Sequence, residues 1–235
     1  MILQKVIPKI NIQKEYQDFV DTFIDRTLSE FGDKVHSLYM CGSIPLGTAR
    51  PFSSDADFTL VCANPANIDY DRLSTIRQEV LNEYPFVTKI DTTVSSIENV
   101  LNRPNDWGFW VKVICICVHG EDLGERVPPI VVSPKFIVEL NADTPMEFDR
   151  ARRSLAESGD NEEARHRSTK GCSKRLMRAL YSLTMEDTGV WENDMLKMKE
   201  AILTYCAIDP ALVEYLYASY LHSDAPTEEF LIRAD

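Results

Sequence analysis

The sequence predicts an α+β protein: a small mixed β-sheet with flanking helices, followed by an all-α helical bundle. Two observations carry this. Apolar, β-branched, alternating runs fall at residues 35–41, 57–62 and 85–94, the pattern of half-buried strands. Beyond Val127-Pro128-Pro129 the periodicity is helical throughout, with short connectors of the kind that join neighbouring antiparallel helices. That change of character sets a boundary near residues 125–132 and two domains, 1–128 and 129–235.

The elements follow in order. Residues 12–31 read as an amphipathic helix, with Tyr16, Phe19, Val20, Phe23, Ile24, Leu28 and Phe31 on one face and Gly32-Asp33 as its stop. The strands at 35–41 and 57–62 come next. Residues 69–84 repeat Leu73, Ile76, Val80 and Leu81 at helical spacing until Pro85 stops them. The strand at 85–94 carries Asp91, and Ser95-Ser96-Ile97-Glu98 reads as a cap opening a short helix. Residues 107–118 are apolar and fit either a buried strand or a helix running into one. Ser133-Pro134 and Thr144-Pro145 each place a cap before a first-turn proline. Longer helical patterns then occupy 146–157, 162–185, 193–206 and 210–222.

At 235 residues, 44% hydrophobic and 26% charged, the chain can bury one large core or two modest ones. No apolar run reaches the roughly 18–20 residues needed to span a bilayer, and Met1-Ile2-Leu3-Gln4-Lys5 lacks the apolar core of a signal peptide. A cytoplasmic protein with no membrane partner is expected. Six cysteines are scattered, three of the first four in strand-like apolar runs where small buried thiols are common, which fits a reducing compartment, and Cys115-x-Cys117 has no second pair at zinc spacing. A net charge of −12 argues against a long nucleic-acid footprint and suits a small or cationic partner.

The stretch from Cys41 to Phe58 carries the chemistry. The run at 35–41 delivers Gly42-Ser43 to a strand end, where small residues let backbone N–H groups approach an anion. Twelve residues beyond Ser43 stands Asp55, with Asp57 two further on. In a strand, residues i and i+2 share a face, so the two carboxylates are expected side by side. Carboxylates that close repel each other unless a cation lies between them, and Mg²⁺ with triphosphate oxygens is the usual partner. The alternative is a polar turn with Asp57 on a solvated strand face. The upstream Gly-Ser at this distance favours the metal-phosphate site. Asp91, between Ile90 and Thr92, is an acid inside a strand; it is either a third site carboxylate or an edge residue facing water.

Gly42-Ser43, Gly47 and Ser54-Asp55-Ala56-Asp57 resemble the motif of the nucleotidyltransferase superfamily that includes DNA polymerase β. Within it they resemble the aminoglycoside O-adenylyltransferases of the streptomycin and spectinomycin type, with one residue inserted relative to the tightest form. Gly120-Glu121-Asp122-Leu123 resembles a turn that many of these proteins carry after the catalytic sheet. The resemblance implies a nucleotidyltransferase fold, with 1–128 as the catalytic domain. It further implies transfer of a nucleoside monophosphate, AMP from ATP, to a hydroxyl of a small acceptor such as an aminoglycoside, with release of pyrophosphate, the chemistry of antibiotic resistance. Asp55, Asp57 and Asp91 would be the catalytic and metal residues, holding one or two Mg²⁺ ions, with Asp91 completing the second metal site or taking the acceptor's proton. Glu121 and Glu147 are reserve bases. Gly42, Ser43 and Ser54 would hold phosphates. Transfer to a protein or tRNA acceptor, or a catalytically silent nucleotide-binding module, are the alternatives.

In the second domain Arg167, Lys170, Lys174 and Arg178 recur at helical spacing along one face of an otherwise acidic chain. That stripe either meets a triphosphate across the domain cleft or is a solvated basic face. Tyr220 resembles a nucleotide-contacting tyrosine of the adenylyltransferases, though its spacing also fits a core position. Where that subgroup has a lysine after Thr-Gly, this chain has Val190-Trp191. The phosphate-binding role is then expected of Lys174 and Arg178.

Overall fold

The computed structural model describes residues 1–5, 10–159, 161–221, 229 and 230. In chain order its elements are β1 (Gln4–Lys5), α1 (Lys14–Phe31), β2 (Val35–Cys41), α2 (Ser43–Leu46), β3 (Ala56–Cys62), α3 (Tyr70–Glu83), β4 (Ile90–Ser96) and α4 (Ile97–Asn102). Then follow β5 (Ile116–Gly120), α5 (Pro134–Leu140), α6 (Thr144–Glu157), α7 (Glu162–Leu183), α8 (Met185–Thr188), β6 (Val190–Trp191), α9 (Met195–Tyr205) and α10 (Pro210–Leu221). The chain divides into two compact units, one of residues 5–130 and the other of 1–4 with 131–235. The fold class is α+β. His222, expected at the end of the last helix, lies outside the described residues.

The first unit is built on a four-stranded sheet of order β4-β3-β2-β5. β2 runs antiparallel to β3 and β5, while β3 and β4 are parallel, so the sheet is mixed as expected. A parallel neighbour needs a crossover, and α3 supplies it. Asp69 caps α3 by accepting from the N–H groups of Asp71 and Arg72, both at 3.0 Å. One sheet face, bearing Leu38, Met40, Phe58, Leu60 and Cys62, packs against Tyr16, Phe19, Val20 and Phe23 of α1 and Leu73, Ile76 and Val80 of α3. Phe23 lies on Phe58 with ring centroids 4.2 Å apart. Burial of each such side chain stabilises the unit by about 1.5–3 kcal/mol. The apolar stripe of α1 therefore fixes which sheet face is core. The alternate positions, Asp57 and Thr59 among them, are left to the other face.

The second unit is helical. Met177 and Tyr181 of α7, Met198 and Ile202 of α9, and Val213 and Leu216 of α10 are buried in it. The Tyr181 hydroxyl donates to the carbonyl of Val190 at 2.9 Å, and its ring meets Trp191 edge-on at 5.7 Å. Among the described residues, no helix is long and apolar enough to cross a membrane. All six cysteines are free thiols.

Four local expectations are corrected. Residues 85–89 do not join the strand: the N–H of Val87 turns back to the carbonyl of Tyr84, and that of Thr88 goes to Ser54, so β4 begins only at Ile90. Thr144 does not cap α6, because its hydroxyl accepts from Arg175 Nε at 3.2 Å and the helix starts at Thr144 itself. The long helix ends at Leu183, where the hydroxyls of Ser182 and Thr184 bond back to the carbonyls of Ala179 and Tyr181, a competition that weakens helix propagation. The region after residue 129 is not helical throughout, since β6 pairs with β1 and the N–H of Gln4 donates to the carbonyl of Gly189 at 2.8 Å. The ambiguous residues 107–118 resolve as π-helical turns, Pro104–Gly108 and Trp110–Ile114, running into β5.

Candidate active site

β2 ends at Cys41, directly opposite Asp57 of β3. The chain leaves the sheet through Gly42, whose φ of 85° and ψ of −158° lie in a region that only glycine occupies readily. A Cβ there would stand 3.5 Å from Asp57 Oδ2, so this turn and that carboxylate are neighbours. The short α2 follows and closes at Gly47, φ 71°, where an added Cβ would meet the carbonyl oxygen of Asn11 at 2.5 Å. Neither glycine tolerates a side chain without movement of the turn.

The loop returning to β3 is tied to this turn by hydroxyls. Ser43 Oγ donates to Ser54 Oγ at 3.2 Å, and the N–H of Arg50 donates to the same Ser54 oxygen at 2.9 Å. In these bonds Ser54 Oγ is an acceptor, which leaves its own proton for another partner. The Ser54 carbonyl accepts from both the N–H and the hydroxyl of Thr88, each at 3.1 Å. At the next step the N–H of Ala56 donates to the carbonyl of Lys89 at 2.9 Å. These bonds anchor the approach to β4 beside the approach to β3. They fix the register in which Asp57 pairs with Asp91.

Partners in adjacent strands point to the same face about 4.8 Å apart, so the register sets two carboxylates side by side on the sheet face opposite the α1 core. Two such negative charges repel. Lys89, two residues before Asp91, places Nζ 2.7 Å from Asp91 Oδ2. Farther along the same face of β3, Thr59 Oγ1 accepts from the Trp110 indole N–H at 2.8 Å, which lays the π-helical turns over the sheet next to the carboxylate pair. Tyr39 of β2 holds the Gly-Glu-Asp-Leu turn. Its hydroxyl accepts from the N–H of Leu123 at 2.7 Å and donates to the carbonyl of Glu121 at 3.3 Å, and burial pushes this phenol well above the ordinary tyrosine range.

Gly42, Ser43, Ser54, Asp57 and Asp91 thus meet at one end of the sheet. The pair set by strand register is Asp57 with Asp91, whereas Asp55 stands one residue ahead of β3 and is exposed. Among the described residues, no group of three or more His, Cys, Asp or Glu side chains is gathered closely enough to hold a metal ion. Of the reserve bases, Glu121 pairs with Arg126 at 3.4 Å and His36 at 3.5 Å, and Glu147 pairs with Arg150 at 2.8 Å. Lys174, Arg178 and Tyr220 belong to the second unit, where all three are half-buried. In the same basic stripe Arg167 is bound to Glu163 at 3.0 Å, and Lys170 Nζ lies 5.8 Å from the centroid of the Tyr220 ring. Lys89 and Trp110 were not legible as site residues from the sequence. For Lys89 a signal existed, its i, i+2 spacing from Asp91.

A search of solved structures matches the crystal structure of spectinomycin adenyltransferase from Enterococcus faecialis with ATP and spectinomycin. The identity is 13% and the TM-score 0.46, over 87% of this chain and 99% of that one. No protein-family model matches the sequence, and no curated protein matches it.

Proposed function

We propose that this protein is a Mg²⁺-dependent nucleotidyltransferase that moves AMP from ATP to a hydroxyl of a small, cationic acceptor of the aminoglycoside type and releases pyrophosphate. The observation that carries the reading is the register pairing of Asp57 with Asp91 at the sheet end where Gly42-Ser43 turns. The donor set fits the ion. Mg²⁺ is commonly held by one or two carboxylates, its remaining ligands being water and substrate phosphates rather than a full protein cage. A cationic group, Lys89 Nζ, already lies against one of these carboxylates, so the position favours positive charge.

When bound, the ion would neutralise charge developing on the phosphates and orient the α-phosphate. Asp57 and Asp91 would hold it, with Asp55 as the exposed carboxylate nearest in sequence. The Ser54 hydroxyl, which accepts two hydrogen bonds within the turn, has a proton to donate to a phosphate oxygen, and the Gly42-Ser43 backbone supplies N–H donors. The acceptor oxygen attacks the α-phosphorus and the bond to the β-phosphate oxygen breaks. Pyrophosphate leaves, and the acceptor's proton passes to an Asp91 carboxylate oxygen that is not engaged by the ion. In this reading residues 1–128 are the catalytic domain, and the net charge of −12 draws a polycationic acceptor.

The test is incubation with Mg²⁺ and ATP labelled in the α-phosphate, given separately aminoglycosides, tRNA and cell protein. Label is expected in the aminoglycoside pool with equivalent pyrophosphate release. Label in tRNA or protein reassigns the acceptor, and label in none of the pools contradicts the transferase reading.

A further inference from the structure

Lys89 is absent from the motif that motivates the functional reading, yet it is the side chain found against the candidate base. Its Nζ lies 2.7 Å from Asp91 Oδ2, while its own carbonyl is fixed by the N–H of Ala56 at 2.9 Å. The stem of Lys89 is therefore rooted at the point where β3 and β4 come together, one step ahead of the Asp57–Asp91 pair. Resting on the proposal that this pair holds a divalent cation, we infer that Lys89 is a built-in counter-ion, which balances the carboxylates while no metal is bound and opposes metal entry until a nucleotide arrives.

Three features support this. First, the location is one that requires charge balance, since register forces two carboxylates onto neighbouring positions. Second, the ion pair is displaceable: the side chain of Lys89 is 64% exposed and that of Asp91 43%, and pairs so open to water contribute little to stability. Third, lysine is a compact point charge on a flexible stem, and can leave Asp91 without disturbing the strand that carries it. A divalent cation entering beside Asp91 both displaces this ammonium group and is repelled by it. An incoming triphosphate brings the opposite charge and offers the released ammonium group a new partner, so metal and nucleotide are expected to bind cooperatively.

The test is titration of the full-length protein with Mn²⁺ in the absence of nucleotide, followed by the paramagnetic resonance of free Mn²⁺ and by calorimetry. Wild type is compared with Lys89→Gln, Lys89→Arg and Asp57→Asn. Removing one unit of repulsive charge at this range in a largely aqueous setting should tighten Mn²⁺ binding about three- to tenfold in Lys89→Gln. Lys89→Arg, which keeps the charge, should bind as wild type, and Asp57→Asn should lose the site. Equal or weaker binding by Lys89→Gln, with binding still lost in Asp57→Asn, overturns the role of Lys89 and leaves the metal reading standing. Absence of binding in both wild type and Lys89→Gln, or binding that Asp57→Asn leaves intact, overturns the metal reading and the counter-ion with it.

Discussion

Asp91 stands where two demands meet: it is paired with Lys89 on one side and with the register position of Asp57 on the other. If it takes the acceptor's proton as well as holding the ion, its carboxylate matters more in the transition state than in the ground state. Asp91→Asn should therefore lower the turnover of bound ATP by orders of magnitude, far more than it weakens ATP binding. Single-turnover kinetics beside equilibrium ATP binding separates the two, and a variant that binds ATP poorly but turns it over normally would reassign Asp91 to nucleotide binding. At this scale the sequence was informative where chemistry is local. Type and spacing single out Gly42, Ser43 and Asp57 as candidates, and the structure places them at one end of the sheet. It was uninformative where a partner is chosen by tertiary placement: the hydroxyl of Ser54 meeting Ser43, and the indole of Trp110 meeting Thr59, join residues far apart in sequence.

Among the elements, β2 is the hub, flanked by β3 on one side and β5 on the other, and Tyr39 extends its reach to the turn after β5. The Tyr39 ring is fully buried, and its hydroxyl is the acceptor for the buried Leu123 N–H. Tyr39→Phe leaves that donor without its acceptor, and should cost about 1–3 kcal/mol in chemical denaturation. Activity per folded molecule should be unchanged, because the hydroxyl lies among the backbone groups of Glu121 and Leu123 rather than at the carboxylates. A loss of turnover with unaltered stability would show instead that the hydroxyl serves the reaction. Strand and helix positions were largely legible, because alternation, capping by Ser96 and Ser133, and the apolar face of α1 are properties of short windows. The residues before β4 misled because β-branched composition favours a strand, while the donors of Val87 and Thr88 are taken by Tyr84 and Ser54. The β1–β6 pairing was invisible for a related reason: two residues on each side carry no periodicity, and their partnership spans the chain.

For the molecule as a whole, the pairing of Asp57 with Asp91 is the feature that spacing could not supply, since a parallel register depends on how a helical crossover returns the chain. Nucleotide binding by Lys174, Arg178 and Tyr220 of the second unit is a separate expectation. A charge-assisted contact to phosphate is worth about 1.5–3 kcal/mol, so Lys174→Ala should weaken ATP binding about tenfold or more. Arg165→Ala is the comparison, because Arg165 lies off the basic stripe on the same helix. Equal ATP affinities for wild type and both variants would remove Lys174 from the nucleotide site and return the stripe to a solvated helix face. Whether Asp57 and Asp91 form the centre of nucleotidyl transfer is decided by pyrophosphate release from ATP and acceptor at saturating Mg²⁺ in wild type and Asp57→Asn. That substitution removes charge with almost no change in volume. Wild type is expected to release pyrophosphate and Asp57→Asn to lose that release, with an unchanged circular dichroism spectrum and unfolding midpoint; near-wild-type release by the folded variant would exclude Asp57 from the reaction centre.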